Sequence, residues 1–189
     1  MKYSVLEKNY KILKQYSYTI DNYSLCPVIK EDIEKIRTWR NQQIKVLRQN
    51  KLISYNEQIK YYKNNVWNEY NQDHPNQILL SFHLNDNLIG YGGLVHINWK
   101  SMIAEMSFLL ETSRTKNKKN YQNDMKNFIS ILISIAFDEL NLKKITAESF
   151  NFRKKTIEVL NNSNFKIDKN SNTNLGKKNS VFHSIINEK

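Results

Sequence analysis

Residues 78–110 read ILLSFHLNDNLIGYGGLVHINWKSMIAEMSFLL, and their periodicity decides the fold class. Ile78, Leu80, Phe82 and Leu84 alternate with Leu79, Ser81 and His83, the two-residue period of a strand. Asn85-Asp86-Asn87 is a turn signal. Leu88 to Trp99 gives a second strand, interrupted by Gly90 and by Gly92-Gly93. Three of the chain's four glycines stand there, which predicts a bulge or the close approach of another backbone. Ala104, Met106, Phe108 and Leu110 alternate with Glu105, Ser107 and Leu109 in a third strand. A turn centred on Lys100-Ser101 sets His96 directly across from Glu105, on one face of this antiparallel meander.

Helical patterns flank the meander. Upstream, Tyr23 to Ile29 is a short strand, and Ile33 and Ile36 stand at helical spacing in Glu31 to Trp39. Ser54-Tyr55-Asn56-Glu57 has the capping-box spacing that opens a second helix. Downstream, Tyr121 to Leu142 is the longest helix, with a wide apolar stripe through Phe128, Ile131, Leu132 and Ile135. Lys144 to Phe150 then reads as a strand, Arg153 to Leu160 as a helix and Val181 to Ile186 as a final strand. Asp168 to Asn179 is polar and reads as a loop. Residues 1–22 read as a lead-in segment with little regular pattern, and 23–189 as one domain. The order predicts a mixed α/β (α+β) fold, with a mostly antiparallel central sheet flanked by helices.

Composition narrows the classes. At 189 residues the chain can bury a real core in a single domain. Cys26 is the only cysteine, so no intrachain disulfide or cysteine-based zinc site can form, and no metal site is expected. The longest apolar stretch, Phe128 to Phe137, is about half of what spans a bilayer. A cytoplasmic protein is the default expectation, with no membrane association and an oligomeric state of monomer or homodimer. The net charge of +11 invites a nucleic-acid reading, but no nucleic-acid motif accompanies it. Enrichment in Asn, Ile and Lys points to a codon bias that raises lysine everywhere.

Several segments, taken in order, resemble the GNAT superfamily of acyl-CoA-dependent N-acyltransferases, in particular its ribosomal-protein-acetyltransferase-like branch. They are Trp39-Arg40-Asn41, Ile53-Ser54 with Glu57-Gln58, Ile89 to Leu94, Ala104 to Phe108, Ala136-Phe137 before Leu140, Glu148 with Asn151, and Asn164-Phe165. The run Gly90 to Trp99 followed by Ala104-Glu105 also looks like a subgroup often encoded with bacterial surface-polysaccharide genes. The resemblance implies acetyl-CoA as acyl donor, bound where the third meander strand splays from the strand after the long helix. Its pantetheine arm would lie along Phe108-Leu109-Leu110, with Asn151 beyond. Its diphosphate would lie at the N-terminus of the long helix, near Arg114, Lys116, Lys118, Lys119, Asn120 and Tyr121, where amides and dipole favour an anion. The family's loop there is glycine-rich, whereas Arg114 to Tyr121 holds no glycine. Asn117 and Asn120, residues that tolerate left-handed backbone, are the expected substitutes.

Amide formation needs an amine freed of its proton, and the resemblance puts Glu105 in the place of a general base. A half-exposed strand carboxylate in an ion pair is the plain alternative. His96 could share the proton shuttle or simply pair with Glu105. The helix tyrosine that many relatives use to protonate the leaving thiolate falls at Leu160, so solvent or Tyr91 would have to serve. On the acceptor side stand Arg40 and Arg48, which could clamp a phosphate or carboxylate or bind surface acids such as Glu34. Trp99 is either a stacking wall or strand-end packing. His183 is a possible substrate contact or a structural histidine.

Three functional readings follow. One is an N-acetyltransferase for a nucleotide-linked amino sugar in polysaccharide synthesis. The second keeps the chemistry but takes a protein, peptide or other small amine. The third is a non-catalytic nucleic-acid or partner-binding module. Charge distribution bears on these. Residues 1–111 hold 14 basic and 11 acidic side chains, a net of +3, whereas 112–189 hold 15 and 7, a net of +8. The excess lies in the half expected to meet the coenzyme's phosphates.

Overall fold

The computed structural model describes residues 9–47, 49–168 and 179–188. Among them eight strands form one sheet, in the order β1-β2-β3-β4-β5-β6-β8-β7. They are β1 (Tyr18–Ile20), β2 (Tyr23–Pro27), β3 (Ile78–Leu84), β4 (Asn87–Asn98), β5 (Ile103–Leu110), β6 (Lys144–Phe150), β7 (Lys166–Ile167) and β8 (Ser180–Ile186). Every neighbouring pair is antiparallel except β5 and β6, which run parallel. Helices α1 (Ile33–Gln42) and α2 (Tyr55–Tyr61) connect β2 to β3. Helices α3 (Thr112–Lys116) and α4 (Lys118–Ile133) connect β5 to β6, and α5 (Lys154–Asn162) follows β6. The expected mixed α/β architecture is the one this chain adopts.

The local reasons are legible in the side chains. Ser54 caps α2: its hydroxyl accepts from the Glu57 amide at 3.3 Å, and Glu57 accepts the Ser54 amide at 2.8 Å. The apolar stripe of α4 buries Phe128, Ile129, Ile131 and Leu132, and a π-helical segment, Ser134–Glu139, carries it on through Ile135 and Ala136. Phe128 packs on Phe108 and Phe82, with ring centroids 4.7 and 5.4 Å apart. Gly92 makes that approach possible, since a Cβ there would stand 2.8 Å from the Phe128 ring and 2.1 Å from the Ser107 carbonyl oxygen.

Two expectations change. Residues 9–22 carry β1 and place Tyr10, Leu13 and Tyr18 in the core, although they lack a regular pattern. Tyr10 anchors the segment by accepting the Leu79 amide at 2.8 Å on its hydroxyl. The β4–β5 register is also shifted: Asn98 faces Ile103, but Val95 faces Glu105. His96 and Ile97 together oppose Ala104, a β-bulge in which His96 takes φ 52°. His96 is therefore not directly across from Glu105. The turn has the expected length, and the extra residue enters after it.

Candidate active site

β5 and β6 pair only over Ile103–Glu105 and Lys144–Thr146. Beyond Glu105 the two strands part, and Met106 to Leu110 keep a partner on the β4 side alone. Parallel strands that separate leave backbone donors and acceptors facing a gap, a ready edge for an extended ligand. A cavity of about 280 Å³ opens at the point of separation. Glu105, Ser107, Val95 and His96 line it from the meander, Glu148 and Phe150 from β6, and Arg40 and Tyr61 from the helical side. Three of the expected site residues, Glu105, His96 and Arg40, line this one cavity, with His96 exposed at the rim on its bulge. Glu148 accepts the Ser180 hydroxyl, tying the far wall to β8.

Tyr91 is buried with its hydroxyl 2.6 Å from Arg40 Nη1, on the face of β4 that meets α1. Burial raises the Tyr61 pKa above that of an ordinary phenol. Arg48 lies outside the described residues. Trp99 does not line the cavity. Its Nε1 donates to the Pro75 carbonyl at 2.9 Å and its ring meets His74, so it packs the strand end. His183 is fully buried on β8, and neither ring nitrogen has a hydrogen-bond partner among the described residues. Burial holds its pKa below the usual histidine value. It does not line the cavity that Glu105 lines.

Further along the gap, Phe108 and Tyr121 share a smaller cavity with Arg153, Thr156 and Leu160. The Tyr121 hydroxyl is 2.8 Å from Thr156 Oγ1 and accepts from Arg153 Nη2 at 3.3 Å. Arg153 lines both cavities and a third, outer cleft beside Gln43, Thr115 and Lys155. Sequence reasoning missed Arg153, Thr156 and Gln43. The scarcity of arginine, five residues in the chain, was the available signal for Arg153. Gln43 donates to the Leu110 carbonyl at 2.7 Å, so the end of β5 is braced by α1. Leu109 and Leu110 are buried. Asn151 is exposed in the turn after β6 and lines none of these cavities.

The segment before α4 solves its geometry without glycine. No residue from 112 to 120 has positive φ, so the expectation of left-handed asparagines does not hold. Instead the chain forms the short α3, and Asn117 at φ −89° caps α4 by accepting the Asn120 amide at 3.0 Å. Lys116, Lys118 and Lys119 are exposed at this helix start, with Lys118 2.9 Å from Glu158 across the surface. Arg114 points elsewhere. It makes a two-point ion pair with Asp124, at 2.7 and 2.9 Å, and Asp124 also accepts the Tyr23 hydroxyl at 2.9 Å. That pair raises the Arg114 pKa and occupies its Nε and Nη2 donors.

A strand gap, a polar cavity at its closed end and a helix N-terminus with lysines at its mouth suit a long thioester with an anionic head. Residues 27–186 match the family model described as an acetyltransferase (GNAT) domain. The chain belongs to the GNAT acetyltransferase family. Enzymes of this family use acetyl-CoA, and the non-catalytic module gives way to an N-acetyltransferase. Among solved structures, the fold is similar to the spermidine N-acetyltransferase of Vibrio cholerae, in a structure described as dodecameric. That match has TM-score 0.70 and 16% identity, covering 88% of this chain and 94% of that one. The same enzyme in complex with CoA and spermine matches with TM-score 0.69 and 15% identity, over 88% and 96%. At such identities the likeness is one of fold. No curated protein sequence matches the chain. Among the described residues no helix is long and apolar enough to cross a membrane.

Proposed function

We propose that this enzyme moves an acetyl group from acetyl-CoA to the primary amine of a small molecule, with Glu105 as the general base. One observation carries the reading: the parallel β5–β6 pairing stops at Glu105 and Thr146, so the gap that suits the donor ends on a carboxylate. The coenzyme supplies the activated acetyl group. Phe108 and Met106 would flank its arm, and Lys116, Lys118 and Lys119 with the α4 amides would hold its phosphates. Glu105 takes the proton that the amine loses as its nitrogen becomes an amide, and His96 at the cavity rim passes protons to solvent. A free thiol has a pKa of about 8.5, so solvent near neutral pH can protonate the leaving thiolate, and the apolar Leu160 is compatible with turnover.

The comparisons support a small amine better than the nucleotide-linked amino sugar suggested by the subgroup resemblance. The Vibrio relatives are named for polyamine acetylation, and a cavity of about 280 Å³ is small for a sugar nucleotide. The dodecamer in one of them also argues against a monomer or homodimer. The test is direct. Acetyl-CoA should raise the melting temperature by linkage, and a panel of small amines should trigger thiol release from it. No shift at millimolar acetyl-CoA would remove the enzyme reading.

A further inference from the structure

We propose that the acceptor carries an anionic group, a carboxylate or a phosphate, in addition to its amine, and that Arg40 binds it. This rests on the small-amine reading above and names its substrate class. Arg40 stands at the end of α1, half-buried in the wall of the cavity that Glu105 lines. Its guanidinium is held from two sides, Nη1 donating to the Tyr91 hydroxyl at 2.6 Å and Nε to Gln49 Oε1 at 3.2 Å. Gln49 is itself fixed, its amide donating to Asn41 Oδ1 at 3.1 Å and to the Lys51 carbonyl at 2.9 Å. Asn41 in turn accepts the Ile53 amide at 2.8 Å. The bracket therefore sets the guanidinium's orientation through three layers of hydrogen bonds.

All of these partners are neutral. Arg37 takes Glu34 and Arg114 takes Asp124, but among the described residues no carboxylate lies within ion-pair distance of Arg40. Its Nη2 has no protein acceptor among them either. Withdrawing a guanidinium from water with only neutral partners is costly, and an anion is the group that compensates it. Nη2, the guanidinium nitrogen that the bracket leaves without a partner among the described residues, is placed to donate to an oxygen of a carboxylate or phosphate. With Glu105 across the same cavity, the site offers a base for an amine and a cation for an anion. A zwitterion of amino-acid or amino-phosphate size meets both. A polycation would offer the guanidinium no anion.

The experiment uses the full chain, acetyl-CoA and matched acceptors, with thiol release as the readout. One pair is an ω-amino carboxylate and its carboxamide; the other is an aminoalkyl phosphate and the amino alcohol; spermidine is the fifth arm. The anionic member of one pair should have kcat/KM about 10–100-fold above its neutral partner. Preference confined to the carboxylate pair, or to the phosphate pair, identifies which anion is read. Arg40→Met should abolish the ratio, with the acetyl-CoA melting shift retained as proof of folding. Arg40→Lys keeps the charge but not the fork, so the ratio persists with a raised KM, and it decides the matter if the Met variant does not fold. Equal use of the members of both pairs, or preference for spermidine, with a ratio indifferent to Arg40→Met, overturns the proposal and leaves the acetyltransferase reading standing. Absence of both melting shift and thiol release overturns the two together.

Discussion

Replacing Arg114 by Met separates the phosphate role expected from sequence from the ion pair that the fold gives it. If Arg114 held coenzyme phosphates, the variant would bind acetyl-CoA poorly and melt like the parent. The structure predicts the reverse emphasis. The Asp124 side chain is 1% exposed, and among the described residues Arg114 is its one ion-pair partner, reached at 2.7 Å. Removing one member of such a buried pair costs about 3–5 kcal/mol, because the remaining charge stays desolvated. The Tyr23 hydroxyl, 2.9 Å from the same carboxylate, offsets part of this. For a chain of this length each kcal/mol lowers the melting temperature by about 2–4 °C, so the drop should be about 6–20 °C. Thermal unfolding followed by circular dichroism measures it, at saturating and zero acetyl-CoA. Arg114→Met with Asp124→Leu should recover most of the loss, since an apolar pair strands no charge. A variant that melts within 2 °C of the parent (a bound of about 1 kcal/mol) but loses acetyl-CoA affinity would refute the latch and restore the phosphate role.

Other outcomes follow from single sites. Gly92→Ala should destabilise by several kcal/mol, about what overpacking or more costs, because the added carbon meets the Ser107 carbonyl at 2.1 Å, and chemical denaturation reads the loss. Acid should weaken the fold through His183 and His83, whose pKa values burial lowers from 6.5. The unfolded chain then binds protons that the folded one refuses, so this stability is present above pH 6.5 and lost as pH falls below it. His183→Leu should flatten that dependence in pH-resolved melts, since its ring nitrogens have no partner among the described residues to lose. Lys116, Lys118 and Lys119 changed together to Ala should weaken acetyl-CoA binding and reduce its salt dependence, measured by calorimetric titration in a salt series.

The periodic parts of the fold were legible: the meander, the capped α2, the α4 stripe and the late strands follow from spacing. What escaped was aperiodic. Tyr10 and Tyr18 hold the N-terminal segment to the core through hydroxyl contacts with Leu79 and Glu139, which leave no repeat in sequence. The bulge at His96 turns on one residue in left-handed backbone, a choice that no neighbouring glycine signals. In the site, strand alternation puts Glu105 on the polar face of β5, and the family resemblance, not spacing, directs attention to Glu105 and Arg40. Arg114 could not be placed, because a buried acid ten residues away on the next helix competes for it. For Arg153 the scarcity of arginine was the one signal, and its place was hidden because the three clefts it joins converge only after β6 and α5 fold back.

The central claim is that the gap between β5 and β6 ends on the base. Glu105→Gln tests it, being nearly isosteric and unable to take the amine's proton. Acetyl transfer should fall by about 10²–10⁴-fold while the acetyl-CoA dissociation constant stays within a factor of about two. Transfer at the parental rate, with binding intact, would contradict the account.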